Sequence, residues 1–416
     1  MVIPEKKLKI CIVSREFPPE TLWGGIGTFT YNLAHGLKNI GHEVDVVSLT
    51  LGNESRQDDE GINVYRISSP SIPFTNKSWW DLVKHLLFPF SVLYSYKVMK
   101  KIQELSLQKQ YDAIDFPEHI GEGFFSILLH RWPSLVRLYT PLSLIGELGL
   151  RRSTNYIDYF LIGILEKYSV KKANVVNSPS RNLANLVAEK FQLNRSIEII
   201  YNPIDTDKFA PRRSLQSNIG EMSNVLFVGR LEDRKGAHVL SHAIPLVVKS
   251  YPMVHFTFLG SDSHGIQGAP SMKKYIIDVL RDKGGLSNTS FHSAVAYDEL
   301  ADYYCGADIM VVPSLYDNSP YTCLEAMSCG IPVIGTSAGG MSEYIDDKRC
   351  GIIVPPGDAQ SLARAILDLC FDREKRITYG LAARDKVLRF FQREIVAQSI
   401  TKLYDLAKER FFRGVM

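Results

Sequence analysis

The stretch DIMVVPSLYDNSPYTCLEAMSCGIPVIGTS, residues 308–337, decides the fold. Two short apolar runs, DIMVVPS (308–314) and IPVIGTS (331–337), bracket a segment with helix signals at both ends. Ser319 is placed to act as N-cap and Pro320 as the first helical residue, where a missing N–H costs nothing; Gly330 is placed to stop the helix. Apolar strands joined by helices build a parallel sheet covered on both faces. The junction also holds two carboxylates, Asp317 and Glu325, on either side of the helix start. Between them the amides of Tyr321 and Thr322 point out of the helix end, a position that favours an anion. One acid before an anion site and one beyond it raise the question of what ligand they grip.

The same rhythm runs outward in both directions. Strands are expected at KICIVS (9–14), EVDVVSL (43–49), INVYRI (62–67), YDAIDF (111–116), LVRLY (135–139) and NVVNS (174–178), with helical patterns such as FTYNLAHGLKNIG (29–41) between them. The pattern then restarts with VLFVGR (225–230), VHFTFLG (254–260) and TSFHSAV (289–295) ahead of the two runs already quoted. IEIIYNPIDTDKFAPRRS (197–214), rich in turn residues, separates the halves, and residues from about 358 to 412 read as helical. Two doubly wound α/β domains with a helical tail follow. In 416 residues, two domains also match the size at which one core stops growing.

The composition is that of a globular chain, 45% hydrophobic and 22% charged. Lys and Arg number 48 against 45 Asp and Glu, and a net charge of +3 points to no nucleic-acid partner. The six cysteines form no Cys-x-x-Cys pair and sit mostly in apolar segments, so neither a disulfide framework nor a zinc site is expected. The N-terminus runs directly into a strand with no signal peptide, which gives a cytoplasmic expectation. No segment is long enough to span a membrane. KSWWDLVKHLLFPFSVLYSYKVMKK (77–101) stands out, with two Trp and six Lys or His. It reads either as a core-facing helix with solvated lysines or as a peripheral contact with an anionic membrane.

Open parallel sheets bind ligands beyond the carboxyl ends of their strands, so the informative residues should follow strands. GRLEDRKG (229–236) does, and Arg230 and Lys235 offer a planar fork and a compact charge to phosphate oxygens. With the helix start near Tyr321 and Thr322 they make a diphosphate site. WGGIGTF (23–29) brings Gly24 and Gly25, whose backbone can approach a ligand closely. Its spacing does not match the dinucleotide fingerprint G-x-G-x-x-G. DFPEHIGEGF (115–124) supplies Glu118 and His119 at another strand end. Asp205-Thr206-Asp207 has the look of a metal-binding pair, but it precedes no strand and reads as turn chemistry. No metal or cofactor is expected.

Taken together, WGGIG, YNPIDTDKF, GRLEDRKG, PSLYDNSPYTCLEAMSCGIPVIGT and AGGMSEYI resemble glycosyltransferase family 4, nearly end to end. The acidic stretch is similar to the family's E-x7-E motif. The resemblance implies the GT-B fold: two Rossmann-like domains facing a central cleft, residues 1–203 on the acceptor side and 204–392 on the nucleotide-sugar side, with a C-terminal helix (about 393–416) returning to the first. It implies a retaining hexosyltransferase that moves a sugar, best taken as glucose from UDP-glucose, to a saccharide or lipid-linked saccharide in surface or envelope polysaccharide synthesis. By position, Arg230 and Lys235 would bind the diphosphate, Glu325 the ribose hydroxyls, and Asp317 would face the sugar. Amides at Tyr321 and Thr322 would complete the cradle, and Gly24 and Gly25 would approach from the first domain. The base is expected on backbone groups near Ala294–Tyr297, Val295 among them.

Two positions depart from the family pattern. Residue 317 is Asp where the family usually has Glu, and the family's frequent first-domain histidine aligns near Pro117–Glu118, leaving the acceptor-side role open between Glu118 and His119. Carboxylates accept hydroxyl hydrogen bonds, so two acids flanking a diphosphate suit a ribose on one side and a hexose on the other. Rival readings on the same fold are a nucleotide-sugar epimerase, a disaccharide phosphorylase, or a catalytically weak sugar-nucleotide binding protein. A nicotinamide oxidoreductase stands further off, given the glycine spacing.

Overall fold

The structure is a computed structural model, and it describes residues 7–21, 23–68, 90–147, 156–212 and 222–414. The chain divides into two compact units, Met1–Pro203 with Arg393–Met416, and Ile204–Gln392.

The first unit is built on an eight-stranded sheet: β1 (Lys9–Val13), β2 (Glu43–Thr50), β3 (Ser55–Asp59), β4 (Ile62–Ser68), β5 (Ala113–Pro117), β6 (Ser134–Arg137), β7 (Val175–Ser178) and β8 (Glu198–Ile199). Their order is β3-β4-β2-β1-β5-β6-β7-β8, parallel throughout except that β3 runs antiparallel to β4. The second unit carries β9 (Ser223–Val228), β10 (Val254–Leu259), β11 (Thr289–His292), β12 (Ile309–Val312), β13 (Val333–Thr336) and β14 (Gly351–Val354). These lie in the order β11-β10-β9-β12-β13-β14, all parallel. That is the doubly wound order, and it reverses direction between β9 and β12. In the first sheet the equivalent reversal falls between β1 and β5.

All eleven strands expected from the sequence form, with ends moved by a few residues. β3, β8 and β14 are additional. SRQDD of β3 has no apolar residue, since it is an edge strand with nothing to bury; a two-residue turn at Glu60 and Gly61, both at positive φ, pairs it with β4. The helix read over 29–41 is Gly25–Asn39, so most of the glycine-rich turn is its first turn, capped by Gly24. The helix expected from Pro320 is Tyr321–Ser328: Pro320 is the N-cap, with ψ 121°, and Ser319 does not cap. Residues 77–89 of the tryptophan-containing segment lie outside the described residues. From Phe90 onward it is the helix Phe90–Ser106, which buries Ser91, Tyr94, Ser95, Val98, Met99 and Ile102 on one face. Among the described residues no helix is long and apolar enough to cross a membrane.

The last helix, Arg393–Arg413, belongs to the first unit. It buries Val396, Ala397, Ile400, Leu403, Tyr404, Ala407 and Phe411, a stripe at helical spacing. Three contacts fix it. Tyr404 donates to Asp115 Oδ2 (2.8 Å) at the centre of the sheet. His42 accepts the Leu8 N–H at Nδ1 (3.2 Å), so its Nε2 carries the proton and donates to Thr401 Oγ1 (2.9 Å). Gly36 lets the two backbones meet, for a Cβ there would lie 2.5 Å from the Arg393 carbonyl oxygen. Gly36→Val should therefore lower stability by about 1–3 kcal/mol, the usual cost of overpacking. An unchanged thermal melt would mean that the last helix does not pack there.

Candidate functional site

The loops leaving β9 and β12 meet at the point where the second sheet reverses. Gly229, at φ 146°, turns the chain out of β9 and donates its N–H to the Leu259 carbonyl (2.9 Å). Arg230 follows with its side chain more than half exposed and Nη2 3.3 Å from Glu232 Oε2. Glu232 also pairs with Arg234 (3.0 Å). Lys235 reaches across to Asp317, Nζ to Oδ2 2.6 Å, and Arg234 Nη1 lies 3.6 Å from the same oxygen. Gly236, at φ 70°, seals the junction: a Cβ there would lie 1.9 Å from the Pro313 carbonyl oxygen. Arg234 adds two main-chain ties, accepting the Leu315 N–H at its carbonyl (2.8 Å) and donating to the Tyr316 carbonyl (3.3 Å).

Asp317 is held on every side. Burial pushes its carboxyl up, but the Lys235 and Arg234 charges and the Ser319 N–H outweigh burial and keep it below the usual carboxylate range. Its carbonyl accepts the Gly340 N–H (3.0 Å), and Gly339, at φ 68°, leaves room for that carbonyl where a Cβ would stand 2.1 Å away. The AGG turn thus positions the acid that the β12 loop presents. Beyond it, the Tyr321–Ser328 helix has no side-chain cap. As its first two residues, Tyr321 and Thr322 direct their amides out of the positive end. The uncapped end and the cations Arg230, Arg234 and Lys235 gather in one corner with Asp317 and Glu232, which pair with them.

Glu325 sits one turn into this helix and is buried. Its Oε2 accepts the Tyr304 hydroxyl (2.6 Å), and burial raises its carboxyl to about 7. Around the pair, Phe209 packs edge-on against Tyr297 and Tyr304, while Lys208 lies 3.9 Å over the Tyr297 ring and pairs with Asp298. Val295 is half-buried in the loop after β11, whose strand ends at His292, short of the expected 295. Asp205 does turn work, its Oδ1 accepting the amides of Asp207 (3.1 Å) and Lys208 (3.0 Å).

In the first unit, the strand ends at the β1–β5 reversal hold the other candidates. Gly24 caps the helix Gly25–Asn39 with Glu16 Oε2 against it, and Gly25 faces open space. Glu118 is completely buried, and its two oxygens accept the amides of Tyr139 (2.8 Å) and Thr140 (2.9 Å). That carboxylate ties the end of β5 to the end of β6. His119, the other acceptor-side candidate, is half-buried on the following single turn.

Arg234, Tyr304 and Lys208 were missed by sequence reasoning. Arg234 had a signal, a third cation inside GRLEDRKG; Tyr304 had none, because its link to Glu325 spans two separate helices. The buried acid Glu166 was missed as well. Glu166 Oε1 accepts the amides of Ile120 and Leu142 (3.1 Å each), bracing the turn that carries His119.

Two family profiles match the chain: "Glycosyltransferase Family 4" over residues 23–208 and "Glycosyl transferases group 1" over residues 223–372. An uncharacterized glycosyltransferase of Methanocaldococcus jannaschii is 27% identical, covering 98% of this chain and all of its own. Glycogen synthase of Mycobacterium tuberculosis is 24% identical over 96% of this chain and 95% of its own. Among solved structures, sucrose-phosphate synthase from Thermosynechococcus elongatus superposes with a TM-score of 0.73 at 20% identity, covering 96% of this chain and 98% of its own. HepE of Anabaena in complex with UDP-glucose gives 0.69 at 19% identity, covering 96% and 99%.

The buried acids carry a consequence for pH. Burial raises Glu122 to about 8, Glu166 and Glu325 to about 7, and Asp115 to about 6. Between roughly pH 4.5 and 8 the folded chain therefore holds protons that the unfolded chain has released, and stability falls as pH rises. The melting temperature should be higher at pH 6 than at pH 8.5. A melting temperature that rises over this range would mean that these carboxylates are ionised in the folded protein.

Proposed function

Since the chain belongs to glycosyltransferase family 4 and has the GT-B fold, we propose that it transfers a hexose from a nucleoside diphosphate sugar, UDP-glucose, to a saccharide or lipid-linked saccharide with retention of configuration. The product is a surface or envelope polysaccharide, and the work is done in the cytoplasm, with peripheral membrane contact through residues 77–101 where the acceptor is lipid-linked. The observation that carries the reading is the corner at the β9–β12 reversal, where Lys235 and Arg234 meet Asp317, Arg230 stands exposed beside Glu232, and the helix Tyr321–Ser328 starts without a side-chain cap.

Each part has a role in the transfer. Arg230, exposed and paired to Glu232 at 3.3 Å, swings onto the diphosphate, with Lys235 and the Tyr321 and Thr322 amides on its other oxygens. As the bond to the sugar breaks, negative charge grows on the departing phosphate and these fixed donors stabilise it. They do the work that a divalent cation does elsewhere, so transfer needs no metal. Asp317 faces the sugar ring, which gains positive charge at the same moment. Because Lys235 and Arg234 already engage its carboxylate, attack by Asp317 on the sugar is unfavourable, and the departing phosphate takes the acceptor's proton on the same face.

Glu325, oriented by Tyr304, holds the ribose hydroxyls, and the base lies by Val295. Within the first unit we assign His119 to the acceptor and the backbone at Gly24 and Gly25 to close approach of a ligand. The lean towards UDP-glucose draws support from HepE, which was solved with that compound. It also follows from how common that donor is in the resemblance described above.

Arg230→Ala should cut turnover by about 10²–10³, the usual loss for one transition-state charge stabiliser. The two acids should fail differently. Glu325→Ala should weaken binding of free UDP by about 10- to 100-fold, the worth of hydrogen bonds to a charged group. Asp317→Asn should leave UDP binding unchanged and lower kcat with KM little altered. Calorimetry on both variants decides it: UDP affinity lost in Asp317→Asn and kept in Glu325→Ala would reverse the assignment. Activity should also survive a metal chelator, and activity that is abolished by chelation and restored by magnesium would overturn the metal-free mechanism.

A further inference from the structure

Three neighbouring helices of the first unit leave their outer side apolar. Rings join them in one row: Tyr96 of the helix Phe90–Ser106 lies edge-on to Phe125 (5.8 Å between centroids), Phe125 to Phe124 (5.2 Å) in the helix Phe124–Leu128, and Phe124 to Tyr168 (5.1 Å) in the helix Tyr156–Lys172. Around this row Phe160 is 69% exposed and Ile164 48%, and Tyr96, Leu128 and Leu129 are exposed as well. On the last of these helices Phe160, Ile164, Lys167, Tyr168 and Lys171 follow one another at helical spacing, a stripe about 16 Å long. A continuous apolar surface of this kind marks a docking site.

The other side of that helix is buried and holds the turn that carries His119. Leu165, Glu166, Ser169 and Val170 face inward. Glu166 Oε1 accepts the Ile120 amide (3.1 Å), and the turn lies against Leu165 because Gly121 has no side chain: a Cβ there would stand 2.5 Å from the Leu165 Cβ. The charges on the outer side are lopsided. Lys100, Arg131, Lys171 and Lys172 are exposed and Lys167 is half-buried, and Lys100 Nζ stands 5.7 Å from the centre of the Tyr96 ring. Among the described side chains the acid here is Glu104, and Lys101 already pairs with it (2.9 Å). Lysine is depleted where proteins meet proteins, but it suits a bilayer, where its stem covers apolar surface and its charge reaches lipid phosphate.

We propose that this face docks on an anionic bilayer. The rings and aliphatic side chains enter the boundary between headgroups and acyl chains, while the lysines and Arg131 meet lipid phosphates around them. The contact thereby extends beyond residues 77–101, which add Tyr96 and Lys100, to two helices later in the chain. Docked in this way, the helix Tyr156–Lys172 carries the His119 turn on its inner side and the bilayer on its outer side, so that a lipid-linked saccharide is met close to the surface that holds its lipid. This link to transfer rests on the reading that His119 serves the acceptor; the docking itself does not.

The test is sedimentation of the full chain with vesicles, in the absence of donor and acceptor. The protein should go down with vesicles of phosphatidylglycerol and phosphatidylcholine at low salt and stay in solution with phosphatidylcholine alone. Salt at about 1 M, where screening leaves charges a reach of about 3 Å, should release it. Phe160→Ser with Ile164→Ser should weaken vesicle binding by at least about tenfold, and so should Lys167→Glu with Lys171→Glu. Phe371→Ser, which removes a comparably exposed ring (65%) from the second unit, should bind vesicles as wild type does. All three variants should keep the melting temperature and the UDP affinity of wild type, because the changed side chains lie at the surface. No sedimentation with phosphatidylglycerol vesicles at low salt would overturn the docking. Binding lost in Trp79→Ser with Trp80→Ser but kept in Phe160→Ser with Ile164→Ser would confine the contact to residues 77–89 and overturn this face. A wild type that runs as a dimer, with the paired serine variant a monomer, would make a second copy the occupant and overturn the bilayer. A chain that binds vesicles through this face but binds no UDP would instead overturn the transfer reading and leave the docking in place.

Discussion

At Gly236 the chain turns with φ 70° directly against the Pro313 carbonyl, at a distance that leaves no room for a side chain. The consequences spread from that contact. It brings the loop after β9 against the loop after β12, so that cations from one stretch of sequence face a carboxylate from another some eighty residues on. Arg234 and Lys235 reach Asp317 because of it. A second glycine, Gly339, plays the matching part on the far side of Asp317 by making space for its carbonyl. The acid is gripped through its side chain from one loop and through its main chain from another.

Charge is treated differently in the two units. Where the second unit presents cations at its strand ends, the first buries carboxylates and uses them on its own backbone. Glu118 and Glu166 together accept four amides from the turns after β5 and β6. Hydrogen bonds of this kind fix loops that carry no regular structure, at the cost of burying acids whose charged form is disfavoured there. His119 sits on a turn braced from both sides, so its position is set by two buried carboxylates.

The sequence was most legible where chemistry and topology coincide. Apolar runs gave eleven strands, and their restart gave two domains, because strands buried on both faces can hardly be written in other residues. The GRLEDRKG and PSLYDNSPYT stretches could be paired before any coordinates because both follow strands that flank the reversal of a doubly wound sheet. What failed had physical causes. β3 is wholly polar and shows no period. The helix start at Pro320 was set one residue early, because Ser-Pro satisfies the usual rule while Asp317 draws the Ser319 amide to itself. The bonds of Glu118 to two amides were not legible, because an acid after a strand carries no mark of which way it faces. Tyr304, brought to Glu325 by tertiary packing, lies beyond the reach of any local pattern.

The discontinuity of the first unit bears on how the chain is made. Its sheet, with the strand that Tyr404 later bonds, leaves the ribosome before the second unit, but the helix Arg393–Arg413 that covers it follows only after the whole of the second unit. Until then the surface around Gly36, His42 and Asp115 waits uncovered while residues 204–392, continuous in the chain, are free to fold to completion. The later domain is thus the first that can finish, and the earlier one remains exposed to chaperones and proteases for most of its synthesis. A chain that stopped just after residue 392 would have its second unit whole and its first without its cover.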